Sequence, residues 1–137
     1  MLLKSKTLSI SIDCSPVEVA RFVSNPRNLP QWATQFCKSV RRSGDDWIVD
    51  TPAGTISVHF SNRNDIGVLD HIVTTPSGDD VAVPMRVVAN GTGSEVLLTM
   101  FQLPGMSDDQ FSQDQMMVIR DLQSLKQVLE GKVQEGN

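Results

Sequence analysis

Apolar and polar residues alternate from Ser5 to Asp13, with Leu8, Ile10 and Ile12 on one side and Thr7, Ser9 and Ser11 on the other, the period of a half-buried strand. The alternation stops at Cys14-Ser15-Pro16 and a helical pattern begins. Ser15 is the N-cap, Pro16 takes the first helical position, Glu18 follows three residues after the cap, and Val19, Phe22 and Val23 share a face. This helix ends near Asn25-Pro26. Leu29 and Trp32, three apart around Pro30, predict a second short helix or turn over Arg27 to Thr34 that lays the indole on the core.

From Lys38 onward the period is two again, punctuated by turn residues at 43–45, 52–54, 62–65, 76–78 and 90–93. The predicted strands are Lys38 to Arg42, Asp46 to Thr51, Thr55 to Asn62, Gly67 to Thr75, Val81 to Ala89 and Ser94 to Leu103. After Pro104-Gly105, Ser107 starts a helix whose apolar positions are Phe111, Val118, Leu122, Leu125 and Leu129, with Asp108 and Asp109 in its first turn and Gly131 as a natural stop. At 1.5 Å per residue it spans roughly 35 Å, enough to cross a small sheet. The expected fold class is therefore α+β: a seven-stranded curved antiparallel sheet around a long C-terminal helix, in a single domain over residues 1–137 with 1–4 and 132–137 frayed.

Antiparallel partners across a turn keep a constant index sum, so hairpins joined in series test whether one face is apolar throughout. Pairing Ala89 with Ser94 sets Met85 beside Leu98. Pairing Thr75 with Val81 sets His71 beside Met85, and pairing Asn62 with Gly67 sets Phe60 beside Leu69 and Val58 beside His71. Pairing Asp50 with Thr55 adds Val49 and Trp47. The inner face then holds Trp47, Val49, Ile56, Val58, Phe60, Leu69, Val73, Val83, Met85, Val87, Val96, Leu98 and Met100, with His71 as its single titratable side chain. Asp70 falls opposite Arg86 on the other side, as a surface ion pair. A slip of one residue would instead bring Asp70 and Arg86 inward.

Composition narrows the function classes. A net charge of −4 and scattered arginines argue against nucleic acid as a partner, and no stretch approaches the length of an apolar membrane span. The opening residues lack the apolar run of a secretory signal, so a cytoplasmic location is expected. Cys14 and Cys37 have no metal-ligand spacing and are expected as free thiols. There is no glycine-rich phosphate loop before a helix, no nucleophile elbow and no His/Cys cluster, so neither metal nor cofactor is expected.

The stretch Ile10-Ser11-Ile12-Asp13-Cys14-Ser15-Pro16-Val17-Glu18-Val19, running into Phe22-Val23-Ser24-Asn25-Pro26 and Leu29-Pro30-Gln31-Trp32-Ala33, resembles the opening of the SRPBCC or helix-grip superfamily. That superfamily includes Bet v 1-like proteins, START domains and polyketide cyclases. The element order extends the resemblance over nearly the whole chain. Asn64 to His71, Pro84-Met85-Arg86-Val87 and Thr99-Met100-Phe101 look like a narrower, largely uncharacterised cyclase-like bacterial branch. The resemblance implies a cavity between helix and sheet and supplies no catalytic motif.

The candidate walls for a small apolar or aromatic molecule are Trp32, Trp47, Val58, Phe60, Met85, Leu98, Met100, Phe111, Gln115, Val118 and Leu122, with His71 as the orienting polar group. Aromatic and methionine side chains at these positions suit a variable ligand and equally suit an ordinary core. An imidazole among aliphatic neighbours is held neutral by desolvation, which fits hydrogen bonding to a ligand, a general base, or a core histidine satisfied by a carbonyl. Asp114 beside the inward stripe is placed to orient such a base, or simply to solvate the first turns of the helix. The total lack of tyrosine argues against phenolic acid chemistry. Ligand binding leads, a cyclase or dehydratase using His71 is the alternative, and homodimerisation on a strand edge stays open.

Overall fold

The computed structural model describes residues 1–61 and 66–135, with side chains as far as residue 131. Strand β1 (Ser5–Ile12) buries Leu8 and Ile12 and leaves Thr7, Ser9 and Ser11 to solvent, as its alternation requires. Helix α1 (Pro16–Val23) begins where the Ser15 hydroxyl accepts the Glu18 N–H at 3.3 Å. Replacing Ser15 by Ala removes that partner, and urea denaturation should register a loss of about 1 kcal/mol. A 3₁₀ turn (Pro26–Asn28) and α2 (Leu29–Trp32) follow, held to α1 by the Asn28 side-chain amide, which donates to the Phe22 carbonyl at 2.9 Å.

The remaining strands are β2 (Ser39–Ser43), β3 (Asp46–Thr51), β4 (Gly54–Phe60), β5 (His71–Thr74), β6 (Asp80–Val83), β7 (Met85–Asn90) and β8 (Gly93–Phe101). They form two antiparallel sheets, β1-β8-β7 and β2-β3-β4-β5-β6, rather than one sheet of seven strands. Pro84 explains the division. Having no N–H, it interrupts the stretch expected as one strand over 81–89, so β6 before it pairs with β5 while β7 after it pairs with β8. The stretch expected as a strand over 67–75 divides in the same way. Its first residues leave β5 and bond with β7 instead, through Leu69 N–H to the Met85 carbonyl (2.8 Å) and Val87 N–H to the Gly67 carbonyl (3.0 Å). Two chain segments thus cross side by side from one sheet to the other and form a seam.

Registers β3–β4 and β7–β8 are as the hairpin sums require. Strand β5 is displaced by two residues against both neighbours: His71 stands opposite Phe60 and Val83, not Val58 and Met85, and Val73 stands opposite Val58 and Val81. On the β6 side the cause is a tighter turn, in which Thr75 N–H bonds the Asp79 carbonyl and Gly78 takes a left-handed φ of 90°. A displacement of two preserves the faces, so the inward set is unchanged. The Asn62 pairing and the turn at 62–65 lie outside the described residues.

Helix α3 (Asp108–Glu135) continues through Gly131, the expected stop, because that glycine is absent from those with left-handed φ and so forms no αL cap. Its buried stripe is Phe111, Leu122, Leu125 and Leu129, and Leu125 is fully enclosed. Near its C-terminal end, the Lys126 ammonium donates to the Ser11 carbonyl (2.8 Å) and Glu130 (2.7 Å), and Glu130 accepts the Asp13 N–H (2.9 Å). These bonds clip α3 to the end of β1.

Candidate functional site

The inner face of the five-stranded sheet shares one core with Leu122, Leu125 and Leu129 of α3. It is closed at one place and open at another. Val49, Ile56 and Val58 are sealed at 0 %, 7 % and 2 % exposure, whereas Trp47, Phe60, His71, Val73 and Val83 on the same face keep partial exposure. Met100 of β8 and Val118 of α3 are half-buried in the same way. The result is an open apolar wall that the long helix does not fully cover.

His71 is the polar group in that wall. Its Nδ1 lies 3.1 Å from the Leu69 carbonyl, and its ring stacks at a tilt on Phe60 with centroids 4.8 Å apart. A carbonyl only accepts, so Nδ1 carries the proton and Nε2 presents a lone pair in the neutral ring. Desolvation pushes the His71 pKa below its ordinary value, against the Leu69 hydrogen bond and the Asp70 charge. Asp70 faces the other way, taking both Nη2 (2.8 Å) and Nε (3.2 Å) of Arg86 together with the Met85 N–H (2.8 Å). That ion pair is where the alternation placed it.

The other expected site residues divide into two groups. Trp32, Val58, Met85, Leu98, Phe111 and Leu122 are sealed in the core, while Trp47, Phe60, Met100, Gln115 and Val118 retain exposed surface. Trp47 also carries the Arg27 guanidinium 5.4 Å above its ring. Asp114 accepts a hydrogen bond from the Gln110 side-chain amide at 2.8 Å and shows none to His71, so helix and strand do not assemble that dyad. Among the described residues no group of His, Cys, Asp and Glu has the arrangement of a metal site, and no helix is long and apolar enough to cross a membrane. The depressions at the β1–α3 junction are open and lined mostly by polar residue types, with Ser11 and Lys126 in both.

One chemically unusual residue escaped the sequence reading. Asp121 of α3 is buried at 5 % exposure, with its carboxylate accepting the Gln35 backbone N–H at 2.9 Å. Burial pushes its pKa up to about 6, partly opposed by that hydrogen bond. Its charge and, more strongly, burial raise the Cys37 thiol as well, and both cysteines are free and buried. Among the described residues the buried Trp32 Nε1 finds no hydrogen-bond partner. The signal for Asp121 was in the spacing: it lies three after Val118 and four before Leu125, inside the apolar stripe.

No family model matches the chain, and no curated protein does. Solved structures match in fold. XoxI from Bacillus cereus aligns with a TM-score of 0.73 at 17 % identity, covering 93 % of this chain and 96 % of that one. The Aha1 dimer from Colwellia psychrerythraea gives 0.72 at 14 %, covering 93 % and 97 %. Ara h 8.0201 gives 0.70 at 11 %, covering 93 % and 98 %. These likenesses establish the helix-grip, Bet v 1-like fold that the opening residues resemble.

Proposed function

We propose that this chain is a binding protein for a small, largely apolar molecule, taken up against the inner face of the five-stranded sheet beside α3. The observation that supports it is the partly exposed wall of Phe60, Val73, Val83, Met100 and Val118, apolar surface packed against the core and left incompletely covered. His71 is the orienting group. Its Nε2 accepts a hydrogen bond from a ligand hydroxyl or amide, while the Phe60 ring and the Leu69 carbonyl hold the imidazole in place.

Native mass spectrometry of freshly purified protein, followed by solvent extraction and a broad apolar panel, tests the proposal; a protein that takes up nothing overturns it. His71→Phe keeps the apolar wall and removes the acceptor. It should weaken a hydroxyl-bearing ligand about tenfold and leave its deoxy analogue unchanged. Because the His71 pKa is lowered from 6.5, binding of the hydroxyl ligand should be level around pH 7 and fall only on acidification below about 6.5, when protonation removes the lone pair.

The same lone pair supports a second reading, a cyclase or dehydratase in which Nε2 takes a substrate proton. Once a turnover is found, unchanged kcat in His71→Ala removes His71 as the base. The sheet edges β2 and β6 are where a second copy would add, and sedimentation over a range of concentrations measures that association.

A further inference from the structure

Row by row, the inner face of the five-stranded sheet has a chemical direction. Arg42 is paired with Trp47, Trp47 with Val58, Val58 with Val73 and Val73 with Val81, so these five share one row. Directly opposed residues in an antiparallel ladder project from the same face, which puts Arg42 beside Trp47 on the inner side. Arg27 reaches the same indole from the 3₁₀ turn, with its guanidinium 5.4 Å over the ring. Two cations therefore meet at one end of an otherwise aliphatic row.

Neither cation is neutralised by an ion pair among the described residues, unlike Arg21, Arg41 and Arg86, which each face a carboxylate. Arg42 donates Nε to the Gly44 carbonyl at 3.1 Å, which leaves its terminal nitrogens unused by that bond. The acids of the neighbouring strand project from the other face: Asp46 bonds His59, and Asp50 bonds Ser39 and Thr55. Asp45, in the turn, bonds neither arginine. A guanidinium stacked on an indole keeps its in-plane N–H groups available, and that fork matches a carboxylate or sulfonate.

We infer that the ligand is an amphipathic acid, with its apolar body along Phe60 and Val73 and its anionic group held by Arg27 and Arg42 at the Trp47 end. This rests on the ligand-binding reading above and specifies its chemistry. From Arg42 on β2 to His71 on β5 is three strand spacings and a two-residue step along the strand, roughly 16 Å. That is the length of a medium acyl chain or of two to three linked rings, with His71 reached by the far end of the molecule.

Two dyes with the same body separate the possibilities: 8-anilino-1-naphthalenesulfonate carries an anion, and N-phenyl-1-naphthylamine does not. The sulfonate should bind more tightly. The Arg27→Ala, Arg42→Ala double variant should lose about tenfold for the sulfonate and nothing for the neutral dye, and raised salt should act on the sulfonate alone. Lysine at both positions should restore most of the loss, and circular dichroism checks that each variant is folded. Arg41, next to Arg42 but on the outer face of β2 and paired with Asp50, is the control, and its Ala variant should bind both dyes as the parent does. Equal affinity for the two dyes, or a loss in the Arg41 variant matching that of the arginine pair, overturns the acid while leaving the binding wall intact. Failure of both dyes to bind overturns the wall itself.

Discussion

Asp121→Asn should gain about 3 kcal/mol of stability relative to the parent on going from pH 4 to pH 8, read from urea denaturation of both proteins across that range. The carboxyl has a folded pKa of about 6 against a reference of 3.8, because burial opposes its charge more than the Gln35 N–H favours it. The folded state therefore binds more protons than the unfolded state between those values, so stability falls as pH rises through the window. Above about pH 6 the penalty is complete, and near pH 4 it is absent. Asparagine keeps the acceptor for Gln35 and cannot ionise, so the difference between the two proteins should track the titration. A pH-independent difference would show that the carboxylate is not buried as described.

His71 acts with the opposite sign. Its folded pKa is lowered from 6.5, so its contribution is present above that value and is lost as acid protonates first the unfolded and then the folded chain. Below about pH 6.5 the two groups therefore act on the parent profile in opposite directions, and comparison with the variant isolates the Asp121 slope.

The second large effect lies at the seam. Gly67→Ala should destabilise the fold by about 3 to 4 kcal/mol, whereas Gly91→Ala should cost only about 1 kcal/mol. Both glycines have left-handed φ, 81° and 59°. They differ in surroundings: a Cβ at Gly67 would collide with the Val87 carbonyl, and one at Gly91 would meet nothing within 4 Å. The Gly67 collision is with backbone, so relief must come from parting the strands that exchange Val87 N–H with Gly67 and Leu69 N–H with Met85. Matched denaturant midpoints for the two variants would show that the close approach is absent.

Much of the fold was legible because local chemistry and periodicity agreed. Ser15, Pro16 and Glu18 set the start of α1, and parity alone put His71 inside and Arg86 outside, even though β5 is displaced by two residues. The division into two sheets was harder to read. Pro84 was visible, but whether a proline bends a strand or hands it to another sheet depends on non-local partners, here residues 67–69. Asp121 shows the same limit for the site. Its spacing placed it in the core stripe, yet only the fold supplies the Gln35 N–H that makes burial of a carboxylate tolerable. Arg27 over Trp47 is likewise a contact between elements far apart along the chain.

The clip between α3 and β1 has a consequence for how the molecule is made. Strand β1 finds its ladder partner only in β8, with Ser5 opposite Phe101, and the bonds from Lys126 and Glu130 to the end of β1 come later still. During synthesis the first strand must therefore wait, unpaired, until β8 has emerged from the ribosome. Its exposed row of Leu8, Ile10 and Ile12 is a sticky edge for that interval. The serines and threonine between those residues keep the waiting segment hydrated, and so serve the nascent chain as well as the finished surface.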